Sequence, residues 1–129
     1  MKAEEFNENY KKIEGFDYIN GITIDKVSKE EVIAHVDLDK KSYNPWNIAH
    51  GGLIFGLADT AIGVLCYANG YKGMTVEANI NYLKPNTEYV KTVATVVKQG
   101  KTISLYKADI YNEKDELSAT VTMNYYNMS

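Results

Sequence analysis

The chain has 129 residues, 45% of them hydrophobic and 24% charged; that length suits one domain, and that composition argues against disordered, collagen-like and coiled-coil architectures. All 14 basic residues are lysine and the net charge is -3, so the basic surface and arginine forks of a nucleic-acid reader are missing, and any bound phosphate must be held by lysine or backbone N–H groups. The single cysteine, Cys66, excludes an intrachain disulfide and a cysteine-rich metal site; with no basic-then-apolar leader at the N-terminus, a cytoplasmic protein is expected.

Residues 3–13 place Phe6, Tyr10 and Ile13 at helical spacing, with Gly15 expected to end the helix. Residues 18–27 read as a strand. Residues 31–39 alternate, with Val32, Ala34, Val36 and Leu38 on one face. Lys40 to Ala49 reads as an irregular loop around Asn44-Pro45. The apolar run Leu53 to Ala68 is shorter than the ~20 residues a bilayer needs, and it carries Gly56, Asp59 and Gly63. It predicts a buried helix from about His50 to Ala68, stopped by Asn69-Gly70.

Four strands follow. Val76, Ala78, Ile80 and Tyr82 alternate with Thr75, Glu77, Asn79 and Asn81, which puts Thr75 on the polar face. The run Val90 to Val97 and the alternating segments beginning at Ile103 and Leu117 complete the set. The turns Lys98-Gln99-Gly100-Lys101 and Asn112-Glu113-Lys114-Asp115 suit tight antiparallel hairpins.

Strands of about ten residues span ~33 Å, and a helix of about eighteen spans ~27 Å. The expected fold is therefore α+β, a single domain over residues 1–129 in which a long antiparallel sheet curls around one central helix. One small sheet cannot cover a helix on every side, so a second subunit is expected to complete the flank and the site.

Asp59 is the most informative residue, because burying an unpaired carboxylate costs several kcal/mol. A helix that keeps one pairs it, exposes it in a cleft, or uses it. His50-Gly51-Gly52 stands at the helix start, where free N–H groups and a partial positive charge stabilise a carbonyl oxygen that gains charge. His50 as a plain cap, with the glycines turning the chain, is the alternative. Asn44 is either a turn-former before Pro45 or a donor to a carbonyl. Thr75 otherwise reads as an ordinary strand residue, His35 as solvent-facing and Cys66 as core filler. Lys98, Gly100 and Lys101 form either a solvated hairpin or a surface phosphate groove.

Taken together, Asn44-x5-His50-Gly51-Gly52-x6-Asp59-Thr60-Ala61 resembles the PaaI-type thioesterases of the hotdog-fold superfamily. The segments Val76 to Pro85 and Val96 to Thr102 share that resemblance, which spans about residues 18–126. It implies a sheet wrapped around a helix, subunits paired edge to edge as a homodimer or a dimer-of-dimers homotetramer, and acyl-CoA hydrolysis at the subunit interface. It implies Asp59 as general base or nucleophile. Asn44, His50 and Gly51 would position or polarise the thioester carbonyl, with Gly52 beside them and Thr75 assisting the water. Lys98, Gly100, Lys101 and Thr102 would lie near coenzyme A. No metal or separate cofactor is implied, since coenzyme A is part of the substrate, and neither nucleic acid nor a membrane is an expected partner. Many relatives have a small or glycine-containing stretch just before the histidine, where this chain has Pro45-Trp46-Asn47-Ile48-Ala49, and the bulky Trp46 bears on the acyl or pantetheine entrance. A non-catalytic acyl-CoA-binding module is the competing function.

Overall fold

The computed structural model describes residues 1–129. The elements are α1 (Ala3–Ile13), α2 (Phe16–Ile19), β1 (Thr23–Val27), β2 (Glu31–Asp37), a 3-10 turn (Lys40–Ser42), α3 (Gly51–Ala68), β3 (Gly73–Tyr82), β4 (Tyr89–Lys98), β5 (Ile103–Asn112) and β6 (Leu117–Asn127). The six strands form one antiparallel sheet in the order β1-β2-β4-β5-β6-β3, so β1 and β3 are its edges.

The sheet curls around α3. Val32, Ala34 and Val36 of β2, Val90 and Ala94 of β4, and Ala108 and Ile110 of β5 are buried with Ile54, Leu57, Ile62 and Leu65 of α3 in one core. Each of those large aliphatic side chains stabilises the fold by roughly 1.5–3 kcal/mol through the apolar surface it removes from water. The length and hydropathy of α3 would suit a membrane span, but half of it is buried in this core. Its remaining face runs through Gly56, Asp59, Thr60 and Gly63; the ends of β3 and β6 reach it at Asp59 and Gly63, and α1 and α2 pack over the rest. Phe6 meets Tyr67 edge to face at 6.0 Å. The Phe16 ring lies so close to Gly56 that a Cβ there would sit 2.6 Å from it.

The structure corrects the sequence reading in two places. The strand expected from Tyr18 begins only at Thr23, because Phe16–Ile19 turn into α2. Glu14, not Gly15, adopts the left-handed conformation that ends α1, at φ 56°, while Gly15 becomes the N-cap of α2. Gly21, at φ 70°, then turns the chain into β1. The driving contacts are tertiary: Phe16 on Gly56, and the Thr60 hydroxyl donating to Asp17 at 2.5 Å.

The second correction concerns Thr75. The β3–β6 register pairs Thr75 with Tyr125 and then Glu77 with Asn124, so Val76 is the extra residue of a bulge. A shift of one residue exchanges the two faces of a strand. Thr75 therefore points inward, and Val76 is left 55% exposed on the edge strand.

Candidate active site

Thr75 meets Asp59 because of that bulge. Its hydroxyl donates to Asp59 Oδ1 at 2.5 Å. The Tyr125 hydroxyl, from the facing position on β6, donates to the same oxygen at 2.6 Å and lies 3.0 Å from the Asp59 carbonyl oxygen. Oδ1 is thus held by two donors, whereas Oδ2 accepts from no protein group. Asp59 lines an open cavity of about 370 Å³ between α1 and α3. The carboxylate is oriented through one oxygen and presents the other.

Tyr125 was not among the residues singled out from sequence. A signal existed: it falls on the inward alternation of β6, and a buried tyrosine needs a partner for its hydroxyl. It is 4% exposed and packs edge to face on Tyr106 at 5.8 Å. Burial, reinforced by the Asp59 charge, pushes its phenol well above the ordinary value, so it remains a donor.

The other candidates gather at the start of α3. His50 is its N-cap, and Nδ1 accepts from the Gly52 N–H at 2.8 Å. An Nδ1 that accepts carries no proton, so Nε2 bears the ring N–H. With Gly52 occupied and Leu53 bonded to the His50 carbonyl, the Gly51 N–H is the free donor at the helix start. The Tyr82 hydroxyl donates to the Gly51 carbonyl at 2.7 Å.

Asn44 shapes its loop, with Oδ1 accepting from Trp46 N at 2.9 Å, while its Nδ2 has no partner in the chain. Asn44 and Gly51 line one cleft of about 520 Å³ with Ile48, Ile54 and Tyr82. Two free N–H donors thus sit together at the positive end of α3. Trp46 is 78% exposed and lies outside that cleft.

These two groups do not meet within one chain. Gly51 and Asp59 are eight residues apart on α3, roughly 12 Å of helix rise. A single thioester carbonyl cannot touch both.

The basic turn lies near the carboxylate group rather than near the helix start. Asn127 Nδ2 donates to the Gly100 and Lys101 carbonyls at 3.0 and 3.2 Å, and the Asn127 N–H donates to the Thr102 carbonyl at 2.8 Å. Asn127 is two residues from Tyr125, roughly 7 Å of strand. Lys98 and Lys101 are exposed and pair with no carboxylate. Gly100 is needed for the turn itself, since a Cβ there would sit 1.9 Å from the Ile103 carbonyl oxygen. Cys66 is buried, and burial raises its thiol pKa, as suits a core residue. His35 lies on the outer sheet face, with Nδ1 2.7 Å from Asp25. No group of three His, Cys, Asp or Glu side chains is placed to hold a metal ion.

A helix wrapped by one antiparallel sheet, with a carboxylate midway along it, defines a hotdog-fold enzyme. The Thioesterase superfamily model matches residues 47–119, and the chain belongs to that family. It is 29% identical over 107 residues to acyl-coenzyme A thioesterase 13 of Mus musculus, covering 79% of this chain and 76% of that one. It is 30% identical over 100 residues to acyl-coenzyme A thioesterase PaaI of Escherichia coli, covering 74% and 71%. A hypothetical thioesterase of Streptococcus pneumoniae, solved with coenzyme A, superposes with a TM-score of 0.80 at 26% identity, over 84% of this chain and 89% of that one. Two further structures of a Streptococcus pneumoniae thioesterase replace an aspartate and a threonine by alanine. Those positions are 16 apart, the spacing of Asp59 and Thr75.

Proposed function

We propose that this protein is an acyl-CoA thioesterase whose active site is completed by a second copy of the chain. The observation that carries this reading is Asp59, held at Oδ1 by Thr75 and Tyr125 with Oδ2 free at a cavity.

The distance along α3 supports the composite site. β3 is an edge strand with Met74 and Val76 exposed, and an unpaired edge invites pairing. Two β3 strands joined antiparallel about a two-fold axis would run the two α3 helices in opposite directions. The helix start of one copy then faces the middle of the other. Asn44 Nδ2 and the Gly51 N–H of one chain would hold the thioester oxygen while Asp59 of the other works on the carbonyl carbon.

Water adds to the carbonyl carbon as Asp59 Oδ2 takes its proton; the oxyanion collapses, the C–S bond breaks, and the thiolate of coenzyme A leaves and is protonated. In the nucleophilic variant Oδ2 itself adds, and water then cleaves the mixed anhydride. Both routes use the same donors at the oxyanion. Lys98 and Lys101 would meet the phosphates of coenzyme A at the surface. His50 serves by capping α3 and fixing the Gly51 backbone. The reaction needs no cofactor besides the coenzyme A already in the substrate, and the proposed setting is the cytoplasm.

The test is thiol release from a panel of acyl-CoA esters. The account expects turnover by the wild type and loss of at least ~100-fold in kcat with Asp59→Ala. Coenzyme A binding without turnover on any ester would favour a non-catalytic binding module instead.

A further inference from the structure

The turn between β4 and β5 has no backbone hydrogen bond of its own. β4 ends at Lys98 and β5 starts at Ile103, and no N–H of residues 99–102 reaches a backbone carbonyl. Side chains set the shape of the turn instead. Gln99 Nε2 and the Gly100 N–H both donate to the Ser104 hydroxyl, at 2.8 and 3.1 Å. The Tyr106 hydroxyl donates to Gln99 Oε1 at 2.9 Å.

Asn127, at the end of β6, makes the largest share of these bonds. Its Nδ2 donates to the Gly100 and Lys101 carbonyls, and its backbone N–H to the Thr102 carbonyl. Its Oδ1 accepts from the Cys66 thiol at 3.7 Å, which ties the other side of the amide to the end of α3. Asn127 is 8% exposed, so a buried side chain fastens an exposed turn to the core.

Two neighbouring carbonyls aimed the same way repel each other, and a shared donor holds them there. In a trans peptide the N–H points opposite the C=O. With the Gly100 and Lys101 carbonyls drawn inward, the N–H groups of Lys101 and Thr102 face outward. Neither has a partner in the chain, and both residues are exposed. Successive outward N–H groups make an anion-binding concavity, and the Lys98 and Lys101 side chains stand beside this one. In a chain without arginine, lysine and backbone N–H are the groups left to hold a phosphate.

We propose that Asn127 is a positioning residue for coenzyme A: by holding the turn's carbonyls inward it presents the Lys101 and Thr102 N–H groups to a phosphate of the substrate. The inference rests on the thioesterase reading above. Asn127 does not touch the substrate; it acts through the turn, which is ordered before the phosphate arrives.

The experiment has two arms. In the first, coenzyme A and pantetheine are each titrated into isotope-labelled wild type. Coenzyme A should shift the amide resonances of Lys101 and Thr102, and pantetheine, which lacks the phosphates, should leave them in place. In the second, KM and kcat are measured for an acyl-CoA and for the acyl-pantetheine with the same acyl group, in the wild type, Asn127→Leu and Asn127→Ala, with a melting curve for each. KM for the CoA ester should rise roughly 10-fold in both variants, because the donors must then be ordered on binding. Its kcat, and both constants for the pantetheine ester, should stay within about twofold. A merely structural Asn127 would lower kcat or move the two esters together, and that result would overturn the proposal. Saturating coenzyme A that leaves the Lys101 and Thr102 amides unmoved would overturn it too, whether or not the variants fold. Coenzyme A that binds and shifts those amides, with no ester turned over, would refute the thioesterase reading and leave the role of Asn127 standing. No binding of coenzyme A would overturn both.

Discussion

Tyr125→Phe is the most informative single substitution. It removes one oxygen and leaves a ring that packs on Tyr106 at 5.8 Å. What is lost is the 2.6 Å hydrogen bond to Asp59 Oδ1. Hydrogen bonds to charged groups are worth about 1.5–3 kcal/mol, so if the bond serves to hold Oδ2 in its reactive position, kcat should fall roughly 10- to 150-fold. Tyr125 is buried behind Asp59 and does not reach the cavity, so KM should stay within about twofold. Thr75→Val should act similarly. Because both hydroxyls serve the same oxygen, the double variant should depart from additivity. The assay is steady-state thiol release, with a melting curve for each variant; a change of up to about 5 °C fits the loss of one hydrogen bond. Wild-type kcat in folded Tyr125→Phe, or a loss confined to KM, would refute the assignment of Tyr125 as a positioning residue.

Other expectations follow from single contacts. The Tyr125 phenol is held protonated by burial and then by Asp59, so the alkaline side of the kcat profile should show no loss traceable to Tyr125 up to about pH 10. Glu113 is opposed by desolvation but accepts from the backbone N–H groups of Thr87 and Glu88, which together bring its carboxyl to about 2. A depressed folded-state pKa stabilises above the unfolded value. Urea titrations should therefore find Glu113→Gln less stable than wild type above about pH 4.5, with the difference vanishing as pH falls through about 2. Coenzyme A affinity, measured by calorimetry, should weaken as salt rises from 0.05 to 0.5 M, and this slope should flatten in Lys98→Ala/Lys101→Ala; salt-independent affinity would count against that placement of the phosphates. Gly100→Ala should destabilise the β4–β5 hairpin, read as a lower melting temperature, because its Cβ would collide with the Ile103 carbonyl.

The long elements were legible because their periodicity is sustained. α3 declared itself by an apolar run with glycine and asparagine at its end, β4 by a β-branched run from Val90 to Val97, and β5 by its alternation from Ile103. What was not legible is tertiary in origin. Phe16–Ile19 becomes a helix because Phe16 needs the space above Gly56 and Asp17 needs Thr60, 43 residues away. Thr75 reads as outward on period-two counting, and only the bulge at Val76 turns it toward Asp59. Asp59 itself stood out because a lone carboxylate in an apolar helix demands an explanation. Tyr125 was hidden among eleven tyrosines, and only its register opposite Thr75 singles it out. The roles of Gly51 and Gly52 separate only once His50 is seen to occupy the Gly52 N–H.

The central claim is a site shared between two chains, and subunit mixing tests it most directly. Asp59→Ala removes the carboxylate. Gly51→Pro removes the free N–H at a helix position that tolerates proline, asking the Tyr82 phenol, whose hydroxyl and ring carbon lie 3.2 and 3.3 Å from the new Cβ, to give slightly. Each variant alone should be nearly inactive. Unfolded and refolded together, half of the dimers become mixed, and each mixed dimer carries one site with both parts intact. The account predicts recovery of about a quarter of wild-type turnover. Mixed dimers that form, as shown by mass, yet remain as inactive as the parents would contradict it.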